Sequence, residues 1–431
     1  MIIGYYNMKT VGCKPCLKVC IRFCYMLPLA KRGAMVYADI HRKGKTNMLI
    51  ENANVFTGCS FRMGLRILVR DGNVLEVGEA TGADEQTIDL NGDYLLPGFV
   101  DVHIHGFHGF DTMRGEEDIR GMSRALARSG VAAFCPTTMS ASTADTERAV
   151  SSVRRVMNRQ ENTGARVLGA HMEAPFLNKA KAGAQRTEYF LLPDIGLLRQ
   201  MTGNDLAAVR LLTLAPELEG SEKLIREAIR NGIRVSVGHT DADAETVHAA
   251  GDYGADHITH TFNAQRPIDR RDAGVPGAAL TDDRFFCEMI CDGIHLHQDI
   301  VRLLIRCKGA EHSVAITDAM EAAGLPDGEY SLGGQAVSVR QGSARLRDGT
   351  LAGSVLTMPR ALSNLIHLFH TDPACACAMC TSTPAASVGE RYAGYLIPGS
   401  PAIMTRWSPD WLMKSVITPS GECCQLDERM L

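Results

Sequence analysis

No uninterrupted apolar run in this chain approaches the ~20 residues that a membrane-spanning helix needs. No basic block and no basic patch interleaved with aromatics stands out, and the net charge is only −4. Neither a nucleic acid nor an anionic membrane surface is therefore an expected partner. The first residues lack the clean apolar core and small-residue cleavage site of a secretory signal. They do carry Cys13, Cys16, Cys20 and Cys24, but no second cysteine pair or histidine pair stands at structural-zinc spacing beside them. Residues 1–47 are read as an extension outside the fold, with Met48 opening the folded protein. The fourteen cysteines are scattered through apolar strand and helix patterns, where reduced buried thiols are common, so a cytoplasmic location is expected.

What is present is an ordinary globular composition, 431 residues with 45% apolar and 22% charged, enough for one barrel-sized domain and a smaller companion. From Met48 the chain reads as short strands, 49–55, 65–70, 74–77 and 87–90, separated by turns such as Asp71-Gly72-Asn73. Strand-then-helix units follow, with strands expected at 99–105, 132–138, 167–173, 210–214, 234–239, 257–262, 286–291 and 314–317. Amphipathic segments such as 222–230 and 299–307 lie between them. This alternation predicts an α/β fold, a TIM-like (β/α)8 barrel over 97–385, with a small β-sandwich domain built from 48–96 and 386–431.

Within the first barrel strand, side chains alternate faces, so Asp101, His103 and His105 point one way while Val100, Val102 and Ile104 point the other. Gly106 ends the strand and leaves both imidazoles at its C-terminal tip, the end at which barrel active sites are built. Glu173 ends the third strand, His239 the fifth, His260 the sixth and Asp318 the eighth. Any one of these is adequately read as a buried polar residue held by a carbonyl. Six ligand-type residues at five tips are hard to obtain that way, and their nitrogen and oxygen donors suit Zn²⁺, Fe²⁺, Mn²⁺ or Co²⁺.

The segments PGFVDVHIHG (97–106), GAHMEAPF (169–176), VSVGHTDADA (235–244), THTFNAQRP (259–267), DGIHLH (292–297), ITDAM (316–320) and LAGSVLTM (351–358) resemble the N-acetylglucosamine-6-phosphate deacetylase family of the amidohydrolase superfamily, in the family's order. The resemblance implies a hydrolase that removes the acetyl group of N-acetylglucosamine-6-phosphate to give glucosamine-6-phosphate and acetate. It implies that Glu173, His239 and His260 hold the principal divalent metal, that His103 and His105 bind a second, and that Asp318 is the catalytic aspartate, also at the metal. Asn263, Ala264, Arg271 and His295 match positions that meet the sugar phosphate. In this family the arginine matching Arg271 reaches across a homodimer into the neighbouring subunit's site. His108 and His297 are read as peripheral.

Three departures from the family pattern stand out. Ala174 replaces the usual glycine after the acidic ligand, Gln185 stands where other members carry a histidine that polarises the substrate carbonyl, and residues 397–404 replace a more acidic stretch. Alternative readings are the N-acetylgalactosamine-6-phosphate counterpart, another amidohydrolase such as a dihydropyrimidinase-like ring opener, or a non-catalytic sugar-phosphate-binding protein. A ring opener would want a carboxylated lysine, of which there is no sign, and a non-catalytic protein would want a broken ligand set.

Overall fold

A computed structural model describes residues 47–79, 85–161 and 163–423. The expected extension, residues 1–47 with its four cysteines, lies outside them but for Asn47.

Eight barrel strands are present: β1 (Phe99–Ile104), β2 (Val131–Thr138), β3 (Arg166–Val167 with Ala170–Met172), β4 (Val209–Leu214), β5 (Arg234–Val237), β6 (His257–Ile258), β7 (Phe286–Ile290) and β8 (Ser313–Ile316). Each pairs in parallel with the next around the sheet. Every residue of β1 and β2 is buried, as parallel strands covered on both faces require. The ring closes where Ile104 bridges Ala319 in parallel, the His105 N–H donating to the Ala319 carbonyl at 2.9 Å. Helices fill the crossovers. Ser221–Arg230, for example, buries Leu224, Ile225 and Ala228 at helical spacing and turns its charged residues outward.

Three strands are shorter than the sequence pattern suggests. β3 breaks at Gly169, whose φ of 134° suits glycine, while β5 and β6 stop before His239 and His260. Those two histidines take positive φ, 47° and 27°, and so leave strand geometry at the residues that carry the chemistry.

Strands from both ends of the described chain form a second sheet, in which Met404–Trp407 pairs with Tyr94–Pro97 and Tyr94–Pro97 pairs with Met48–Phe56. Its apolar core includes Ile50, Val55, Ile67, Leu95, Met404 and Ile417. A third sheet, Gly328–Leu332, Gln335–Arg340 and Ser343–Arg345, follows β8 and was not anticipated. Its turns at Gly333-Gly334 and Gln341-Gly342 were the available signals. It packs Leu332, Val337 and Val339 on Met139 and Met320, residues that follow β2 and β8 at the mouth of the barrel. Among the described residues no helix is long and apolar enough to cross a membrane.

Candidate active site

Glu173, just beyond β3, lies at the centre of the mouth. Its Oε1 is 3.1 Å from the Nε2 atoms of both His239 and His260, which are 3.1 Å from each other. On the other side His103 Nε2 lies 3.4 Å from Oε1 and His105 Nε2 3.3 Å from Oε2. Asp318 Oδ1 faces the same pair, 3.4 Å from His103 Nε2 and 3.2 Å from His105 Nε2. All six side chains are buried.

The tautomers are set from behind. His239 Nδ1 donates to the Lys181 carbonyl at 2.9 Å and His103 Nδ1 to Glu288 Oε2 at 3.0 Å, which turns each Nε2 toward Glu173. Asp101 braces the strand below, accepting from the Thr317 hydroxyl at 2.5 Å and from the His103 and Thr317 N–H groups at 3.3 Å.

Burial opposes charge on the His103 ring, yet the Glu173 and Asp318 carboxylates raise it well above the ordinary imidazole value. His105 is pushed to about 9 by the same two carboxylates, again against burial. Burial would raise Glu173, but His103, His105 and His239 hold it well below the usual carboxylate range. The cluster is thus a concentration of negative oxygens that draws positive charge onto whatever nitrogen faces it.

Whether a metal fits can be judged from these atoms. His103, His105 and Glu173 offer ligand atoms within 4.8 Å of one another, and so do Glu173, His239 and His260, so the two sets share one carboxylate. His103 Nε2 is buried 3.4 Å from both Glu173 Oε1 and Asp318 Oδ1 without an aligned hydrogen bond to either, a gap that a bound cation would fill. Imidazole nitrogen and carboxylate oxygen make a fitting donor set for a divalent first-row ion. A third set, His103, His171 and Glu288, is also within that distance. The nitrogens of His171 are already engaged by the Val102 carbonyl at 3.2 Å and the Thr213 hydroxyl at 2.8 Å, so it braces the site from below.

The amidohydrolase family model matches residues 94–418. The chain belongs to that family. A Lysinibacillus sphaericus N-acetylglucosamine-6-phosphate deacetylase is 36% identical over 323 residues, 74% of this chain and 83% of that protein. An Escherichia coli N-acetylgalactosamine-6-phosphate deacetylase is 36% identical over 316 residues, 73% of this chain and 83% of that protein. The solved N-acetylglucosamine-6-phosphate deacetylase of Pasteurella multocida superposes with a TM-score of 0.82 at 26% identity, over 88% of this chain and all of that one.

Around this amidohydrolase centre the remaining expected residues fall into two groups. Gln185 is drawn in: its Nε2 donates to Glu173 Oε2 at 2.6 Å while its Oε1 accepts the Ser140 N–H at 2.7 Å, so it holds the central carboxylate. Asn263 Nδ2 donates to the His260 carbonyl at 3.2 Å, and the Ala264 carbonyl accepts the Thr240 N–H at 3.2 Å, beside the histidine tips. His295 pairs with Asp292 at 2.6 Å. Burial lowers that ring, but Asp292 and then Asp318 raise it overall. Arg271 stands apart on an exposed turn, where its N–H donates to Asp269 at 3.1 Å. Among the described residues no hydrogen bond or ion pair joins its guanidinium to the cluster. His297 is exposed at a helix start, and His108 lies in the hairpin after β1.

His239, His260 and Asp318 all adopt positive φ, 47°, 27° and 49°. Each such residue costs on the order of 1–3 kcal/mol and persists only where its surroundings over-determine it. Sequence reasoning missed Glu288 and His171 as supports. For Glu288 the signal was present, an acid in the middle of the otherwise apolar strand FCEMI.

Proposed function

We propose that this chain is a metal-dependent hydrolase that takes the acetyl group from N-acetylglucosamine-6-phosphate, releasing glucosamine-6-phosphate and acetate. The observation that carries this reading is Glu173 standing between two histidine pairs with Asp318 opposite, in a chain whose relatives bear that activity in their names.

Glu173, His239 and His260 would hold the principal ion, with His103 and His105 completing a place for a second. A divalent ion there, zinc first and iron, manganese or cobalt as alternatives, supplies Lewis acidity and lowers the pKa of water at the mouth. Asp318 moves the proton. Burial would raise its carboxyl, but the neighbouring His103 and His105 bring it below the usual carboxylate range, which keeps it ionised, the form that can take a proton from the attacking water. The same oxygen then hands that proton to the amide nitrogen, without which an amine leaves very slowly. Gln185 fixes the orientation of Glu173, and Asn263, Ala264 and His295 line the sugar side.

In the family that this chain resembles, the arginine matching Arg271 reaches the substrate phosphate of the neighbouring subunit of a homodimer, and Arg271 stands here on an exposed turn. Its planar guanidinium suits a two-point contact to phosphate. The buried thiols of Cys135, Cys287, Cys291, Cys377 and Cys380 favour a reducing, cytoplasmic setting.

Acetate release from N-acetylglucosamine-6-phosphate, abolished by chelation and restored by added divalent metal, tests the reading. No release from any N-acetylhexosamine-6-phosphate would sink it. The galactosamine epimer is a second reading, motivated by the equal identity to the Escherichia coli relative. Comparing kcat/KM for the two epimers decides between them.

A further inference from the structure

Glu288 lies wholly buried in β7 between Cys287 and Met289. A carboxylate removed from water persists only where donors or charges meet it. Its Oε2 accepts from His103 Nδ1 at 3.0 Å and from the His260 backbone N–H at 3.2 Å. Its own backbone carbonyl accepts the Thr261 N–H at 2.8 Å. Among the described residues Oε1 has no hydrogen-bond partner at all. A single carboxylate oxygen therefore touches one member of each histidine pair, His103 from β1 and His260 from beyond β6.

We infer that Glu288 is the positioning residue of the metal centre, a role that rests on the metal-dependent reading above. By accepting the Nδ1 proton it fixes the His103 tautomer and turns the Nε2 lone pair toward Glu173 and Asp318. By accepting the His260 N–H it holds the left-handed turn, at φ 27°, from which the His260 ring faces Glu173. A carboxylate behind a metal-binding imidazole also raises that ligand's basicity, and removing such a partner typically weakens metal binding 10- to 100-fold.

The test uses the full chain stripped of metal and titrated with Co²⁺ alone against a chromophoric chelator, with metal content by elemental analysis. Glu288→Gln keeps the shape and one acceptor oxygen but loses the charge, and Glu288→Ala loses both contacts. Cobalt affinity should fall about 10- to 100-fold, more in the alanine variant than in the glutamine variant. A merely structural Glu288 would shift the unfolding midpoint of the stripped protein and leave the cobalt affinity of the folded variants at the wild-type value, which would overturn the inference. Where neither variant folds, ¹⁵N-histidine spectra of the zinc-loaded wild-type chain decide. A His103 proton on Nδ1 supports the role, and one on Nε2 overturns it. Wild-type chain that takes up no cobalt overturns the metal-dependent reading and this one with it, whereas tight uptake by wild type and variants alike removes Glu288 alone.

Discussion

The backbone N–H of Asp318 donates to the carbonyl oxygen of His103 at 2.9 Å. The contact that closes the barrel between its last and first strands therefore also sets the Asp318 carboxylate against the His103 and His105 rings.

Asp318→Asn should lower turnover by about 10²- to 10⁴-fold, the usual worth of a positioned general acid–base group, with little change in KM. Asparagine tolerates the left-handed φ of 49° at this position, so the fold should survive. Steady-state acetate release reads the result. A variant within about tenfold of wild type would remove Asp318 from the proton transfer.

A double substitution, His103→Asn with His105→Asn, leaves Glu173, His239 and His260 in place. Elemental analysis of protein prepared without chelator should give about two metal ions per wild-type chain and about one per variant chain, since only one of the two sets sharing Glu173 is broken. Equal metal content in both proteins would show that the His103/His105 pair holds none.

Mixing Arg271→Ala and Asp318→Asn chains under subunit exchange tests the shared site. In a mixed dimer the Arg271→Ala chain keeps its own Asp318 and receives an intact Arg271 from its partner, while the sister site lacks both. Random pairing makes about half the dimers mixed, with one working site in each, so roughly a quarter of wild-type activity should return. If Arg271 serves its own chain, mixing restores nothing.

Asp93 ties the N-terminal and C-terminal segments of the second sheet together, its carboxylate meeting Lys414 Nζ at 2.9 Å and Arg406 Nε at 2.6 Å. Burial would raise the Asp93 carboxyl, but these two cations lower it below 3.8. A carboxylate with a lowered folded-state pKa contributes stability that is present above the unfolded value of 3.8 and lost as pH falls through the folded one. Asp93→Asn should cost about 1–3 kcal/mol in urea unfolding at neutral pH, in line with charged hydrogen bonds. The gap to wild type should close as the pH drops below that value. A gap independent of pH would mean that packing, not charge, accounts for the loss.

Alternation within FVDVHIHG was enough to place His103 and His105 on one face, because the two-residue period of a strand is a local property that any stretch of sequence carries. The same periodicity, with helical segments between, located all eight barrel strands, and the residues at their ends were legible as a ligand set. Tertiary structure alone decided how those ends meet. Glu173 and His260 stand 87 residues apart, and Asp101 and Thr317 stand 216 apart, so their contacts depend on ring closure and not on any local pattern. The lengths of β5 and β6 were overestimated because apolar content does not reveal that His239 and His260 turn out of the strand at positive φ. Gln185 reads in sequence as a group facing substrate, yet the fold brings its amide onto Glu173. Glu288 stands four residues before the DGIHLH motif but belongs to none, and it becomes a neighbour of His103 only when ring closure through β8 brings β7 close to β1. Local patterning determines which residues each strand offers at its tip, and the closed ring determines which of them touch, because a contact across the barrel leaves no periodic trace along the chain.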